Sequence, residues 1–116
     1  MGKIKDLELH RHSRIYGVGG YRPERVVTNA EVCARIDSTD EWIRERSGIE
    51  SRRWAADNES VVDMAENAAR KALAHAGISM DQIGAVIVAT VTYPYQTPSA
   101  ATELIRRLGN PKAAAF

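Results

Sequence analysis

The sequence predicts an α/β fold with a largely parallel sheet, and three observations carry that expectation. A continuous β-branched run occupies residues 85–89, a long helical pattern with small apolar positions precedes it, and a capped helix leads from it into a second apolar run at 112–116. An uninterrupted Val/Ile strand is the pattern of one covered on both faces, and such strands pair in parallel with helices above and below.

The elements follow in order. Residues 13–21 are short and partly apolar and end in Gly17-Val18-Gly19-Gly20, which reads as a strand entering a tight turn. Arg22 stands where a dinucleotide loop would need its third glycine, so that motif is not met. Thr28-Asn29-Ala30-Glu31 has capping-box spacing and opens a short helix through Ile36. Ser38-Thr39-Asp40-Glu41 repeats the device, with Ser38 as cap, for a helix through about Arg46 that closes near Gly48. Residues 49–54 read as an exposed strand with Arg52 and Arg53 on a wet face. Ser60 starts the longest helix, whose small residues Ala65, Ala68, Ala72 and Ala76 imply close approach of another element before Gly77 ends it. Thr97-Pro98 supplies a cap and a first-turn proline for a helix to Leu108, stopped by Gly109-Asn110-Pro111. The last apolar segment reads as a strand in progress at Phe116, so the sheet is expected to continue beyond it.

Composition removes several function classes. The 116 residues are 44% hydrophobic and 27% charged, an ordinary globular mixture the size of one domain. Sixteen basic against fifteen acidic residues leave a charge of +1, which offers no broad field for nucleic acid. The most apolar stretch, residues 85–91, is far shorter than the roughly 20 residues of a membrane helix. Residues 1–13 are charged, without the apolar run of a secretory signal, and are expected to form a flexible extension. Met1-Gly2 does not make a myristoylation start, because Asp6 stands where Ser or Thr is needed. A cytoplasmic location is expected. The single cysteine, Cys33, permits no intramolecular disulfide, and His10, His12 and His75 form no ligand cluster, so no metal site is expected.

Trp42 and Arg46 lie one helical turn apart on the second capped helix and share a face. An indole beside a guanidinium can stack a purine and bond a phosphate; equally, Trp42 can pack in the core with Arg46 covering it. Ser38, as cap, would sit at the positive end of this helix, where Asp40 and Glu41 partly occupy the field. Arg44, Arg46, Arg52 and Arg53 form a dense basic cluster balanced in part by Glu41, Glu45 and Glu50, either a phosphate or acidic-partner surface or a solvated face. Cys33, inside a short helix without a histidine nearby in sequence, reads as a buried structural thiol. No catalytic constellation can be assembled from the remaining residues.

The string 17–29 (GVGGYRPERVVTN), then 36–49 (IDSTDEWIRERSGI) and Arg53, then 81–90 (DQIGAVIVAT), 97–101 (TPSAA) and 114–116 (AAF), in this order, resembles β-ketoacyl-acyl carrier protein synthase III, most of all its actinobacterial members. The resemblance covers residues 14–116, and DEWIRERSG at 40–48 is its most specific part. It implies a thiolase-like layered fold of two related halves, of which residues 14–116 would be an incomplete N-terminal half, and a homodimer when intact. It implies that Trp42 and Arg46 flank the adenine and phosphate end of coenzyme A, with Ser38 lining the same entrance.

By the same resemblance, the intact protein takes an acyl group from acyl-coenzyme A onto a cysteine and condenses it with malonyl-acyl carrier protein, initiating type II fatty-acid synthesis. Coenzyme A thioester is then a substrate, and no cofactor is implied. The catalytic cysteine, histidine and asparagine of the family match no residue here, so the isolated chain is expected to be inactive. Thr97 stands where some members carry a phenylalanine directed at the partner's acyl pocket, which implies primers larger than acetyl. Three alternatives stay open: a polyketide-priming or acyl-transferring relative, a noncatalytic module for coenzyme A or a nucleotide, and a structural subunit completed by a separate chain.

Overall fold

The computed structural model of the chain describes residues 13–93 and 95–116, so most of the expected extension at 1–13 lies outside the described residues. The chain runs β1 (Arg25–Thr28), α1 (Asn29–Cys33), α2 (Asp40–Ser47), β2 (Ser51–Trp54), α3 (Val61–Ala76), one 3-10 turn (Met80–Gln82), β3 (Ala85–Val86), α4 (Ala100–Leu108) and β4 (Ala114–Ala115). The class is α/β, as expected, but the sheet is not largely parallel. β1 and β2 pair antiparallel, because the two capped helices turn the chain back on itself, whereas β3 and β4 pair in parallel across α4.

Local chemistry explains the helix limits. Thr28 accepts from the Glu31 amide at 3.3 Å and caps α1, but the Arg35 amide bonds the Val32 carbonyl at 2.9 Å, so the helix tightens and ends at Cys33 rather than Ile36. Thr39, not Ser38, caps α2: its hydroxyl accepts from the Trp42 amide at 3.2 Å, and Gly48 closes the helix at φ 67°. Ser60 and Asp63 form a reciprocal capping box on α3. Ser99 replaces Thr97 as the cap of α4, its hydroxyl 3.2 Å from the Thr102 amide, which leaves Thr97 and Pro98 outside the helix.

The small face of α3 meets the expected close neighbour, though in a different form. Residues 13–21 make no ladder; they pass along α3, whose backbone groups are already used within the helix. A Cβ at Gly17 would stand 2.5 Å from the Ala72 carbonyl oxygen, and one at Gly19 would stand 2.3 Å from that of Ala68. These glycines therefore serve close approach, and neither has the positive φ of the expected tight turn. His75 is exposed as anticipated and also accepts from the Val18 amide at 3.1 Å, tying the segment down.

The core lies where α3 and α4 pack on β3: Val62, Ala100 and Leu104 are buried, with Ala65, Val86, Val88, Tyr93 and Leu108 around them. Bonding between the strands continues past the short ladder, with the Val88 amide 2.9 Å from the Phe116 carbonyl. Both helices cover the Val86 and Val88 face, so the other face is open and Ile87 is 78% exposed. The expectation of a strand covered on both sides therefore does not hold for the described residues.

Candidate functional site

The corner containing Trp42 is assembled around Asn29, whose side chain is 1% exposed. Its amide donates to Asp40 Oδ1 at 2.6 Å and to the Ile49 carbonyl at 2.8 Å, while its oxygen accepts from Arg52 Nη2 at 2.8 Å. One amide thus ties α1 to the start of α2, the chain after α2, and β2. The Asn29 bond and then the Arg44 guanidinium hold the Asp40 carboxyl below its ordinary range. No local pattern marks Asn29 as this anchor, because its partners arrive from as far as 23 positions along the chain.

On α2, Trp42 is 56% exposed and does not pack in the core formed by the described residues. The Arg46 guanidinium carbon lies 5.9 Å from the indole centroid, within cation–π range, as the one-turn spacing anticipates. Trp42 and Ser38 line one open cleft of about 360 Å³ together with Ile36, Asp37 and Thr39. Ser38 Oγ is buried and has no hydrogen-bond partner among the described residues, consistent with its loss of the capping role to Thr39.

The basic cluster divides. Arg44 pairs with Asp40 at 2.8 Å and with Glu50 at 2.9 Å, Arg52 is held by Asn29, and Arg53 donates to the Glu24 carbonyl at 2.7 Å. Arg46 has no carboxylate within 4.0 Å among the described residues, and it is the member placed on the indole. An aromatic plane, a guanidinium and a hydroxyl are the donor set for a purine carrying phosphate. Cys33 is half-buried rather than buried.

Thr97 is not brought into this cleft. It lines a separate one of about 690 Å³ with Tyr93, Tyr95 and Pro98, floored by Asp63, Glu103 and Arg107. Arg107 spans α3 and α4, reaching Asp63 at 2.5 Å and Glu103 at 2.9 Å. Hydrogen bonds from Ser60 and then Arg107 hold the Asp63 carboxyl down to about 2. Arg106 and Arg107 do the same for Glu103, also to about 2.

These elements form part of a thiolase-like α/β fold, the class of fold shared with solved β-ketoacyl synthases. Within that class, the chain is 56% identical over all 116 residues to β-ketoacyl-acyl-carrier-protein synthase III 1 of Streptomyces avermitilis and spans 33% of that relative's length. It superposes with a TM-score of 0.85 on the crystal structure of a priming β-ketosynthase from a polyketide biosynthetic pathway, at 46% identity over 89% of this chain and 31% of that one. For 3-oxoacyl-acyl-carrier-protein synthase III of Aquifex aeolicus the TM-score is 0.83, at 37% identity over 88% of this chain and 33% of that one. No family model matches the chain. The resemblance read from the ordered motifs therefore holds in both sequence and fold, and the chain spans about a third of the length of the relatives it matches.

Proposed function

We propose that residues 14–116 are part of the N-terminal half of a β-ketoacyl-acyl carrier protein synthase III, and that the Trp42 cleft holds the nucleotide end of an acyl-coenzyme A. The observation that carries this reading is the exposed indole with Arg46 against it and the unpartnered Ser38 hydroxyl in the same cleft. The adenine stacks on Trp42, Arg46 bonds a phosphate, and Ser38 supplies a short polar contact. In the intact protein a cysteine thiolate attacks the thioester carbonyl and expels coenzyme A thiolate. Malonyl-acyl carrier protein then loses carbon dioxide, and the resulting carbanion attacks the acyl-enzyme carbonyl and releases the cysteine. Neither Cys33 nor His75 is placed in that role. The intact enzyme works in the cytoplasm as a homodimer, and this chain alone neither forms an acyl-enzyme nor condenses. The small Thr97 side chain leaves room for primers larger than acetyl.

The chain is expected to bind coenzyme A saturably, and Trp42→Ala to weaken that binding by roughly five- to 150-fold, a stacked base being worth roughly 1–3 kcal/mol. Calorimetric titration checks both, and equal affinity in the variant contradicts the assignment. The polyketide-priming alternative is favoured by one comparison, since the priming ketosynthase matches in fold at a TM-score of 0.85. Primer and acceptor preference of the intact enzyme decide between the two.

A further inference from the structure

The Trp42 cleft has two walls that are held differently. The α2 wall is fixed by Asn29 through Asp40. The other stretch lining the cleft, residues 36–38, has the single backbone bond of the Ser38 amide to the Ile36 carbonyl at 3.0 Å, and no side-chain hydrogen bond among the described residues. Its tether to the sheet is the residue just before it. The Arg35 guanidinium carbon lies 5.3 Å from the ring centroid of Trp54, at the end of β2. Arg25 lies over the same ring at 5.3 Å and is itself paired with Glu31 of α1. Trp54 is half-buried, so one indole joins β1, β2 and the turn after α1 through two guanidiniums.

We infer that Arg35 and Trp54 are positioning residues for the proposed nucleotide cleft: the stack of Arg35 on Trp54 sets the placement of residues 36–38, which line the cleft with Trp42, and so the space into which a purine fits. The inference rests on the coenzyme A reading above. Arg35 acts through the wall rather than by touching the ligand, which separates it from Arg46.

Titrating coenzyme A and, separately, adenosine into the full chain tests this, with circular dichroism confirming that each variant stays folded. Arg35→Gln is expected to weaken both ligands by the same factor, roughly two- to fivefold, as loss of a partly exposed cation–π contact implies. Arg35→Lys keeps the cation and restores most of the affinity. Trp54→Phe, a milder change to the ring, weakens binding less, and the double variant Arg35→Gln/Trp54→Phe is no weaker than Arg35→Gln alone. A loss confined to coenzyme A would make Arg35 a phosphate ligand and overturn the inference. So would unchanged affinity in Arg35→Gln where Trp42→Ala still weakens binding, leaving the coenzyme A reading intact. If Trp42→Ala binds as the parent does, or the parent binds nothing, the underlying reading fails and the inference goes with it.

Discussion

Around Val62, Ala100 and Leu104, α3 and α4 close on β3 through apolar side chains, whereas in the corner of β1, α1, α2 and β2 the only buried apolar side chain among the described residues is Val27. That corner is held instead by the Asn29 amide, the Arg44 pairs and the guanidiniums on Trp54. Apolar burial scales with area and has no directional preference, while hydrogen bonds and stacks fix angles. The Trp42 cleft, proposed above to take a nucleotide, sits in the directional corner, where the indole is held beside the Arg46 guanidinium. The same choice makes the corner sensitive to single polar substitutions that the packed layer would absorb at its surface.

The largest effect is expected in the packed layer. Leu104→Ala removes a side chain that is 4% exposed and should destabilise the fold by about 2–5 kcal/mol through lost transfer energy and the cavity left behind. Chemical denaturation measures it, and a change under 1 kcal/mol would mean that α4 is not packed as described.

In the corner, Asn29→Ala leaves Asp40 and Arg52 without their shared partner and should cost about 1–3 kcal/mol. Hydrogen exchange sharpens the comparison: protection should fall in α1 and α2 and hold in α4. Equal loss in both regions would show that the two are not independently supported.

Acid gives a smaller and reversible test. Hydrogen bonds from Ser60 and Arg107 lower the Asp63 carboxyl from an ordinary 3.8 to about 2, and those from Arg106 and Arg107 lower Glu103 from 4.5 to about 2. A depressed carboxylate stabilises the fold fully above its ordinary value and loses that contribution as pH falls toward the folded one. Stability should therefore decline between about pH 4.5 and 2, and Arg107→Gln should flatten that decline, since Arg107 faces both groups. An unchanged slope would remove Arg107 from the account.

How much of this was legible in the sequence follows from the range of each signal. Caps, terminating glycines and the Trp42–Arg46 spacing are local, and α3, the end of α4 and the shared face on α2 came out as expected. Thr39 and Ser99 are the caps where the sequence predicts Ser38 and Thr97, because neighbouring hydroxyl residues compete and only the backbone decides which one aims at the amide. β1 escaped notice since Val26-Val27 becomes a strand only when residues 51–54 return beside it. Asn29 and the Arg35–Trp54 stack were missed for the same reason: their partners are distant in sequence and share no periodic pattern with them. Ile36 and Asp37, which line the cleft beside Ser38, carried no sequence signal of their own.

The central claim is that the polar corner, and not the packed layer, receives the nucleotide. Adding coenzyme A to the isotopically labelled chain and following its amide and indole resonances tests this most directly. Saturable shifts of the Trp42 indole N–H and of the amides of residues 36–46 are expected, with those of α4 unmoved. Saturable binding that shifts α4 or β3 and leaves the Trp42 indole unmoved would contradict the claim.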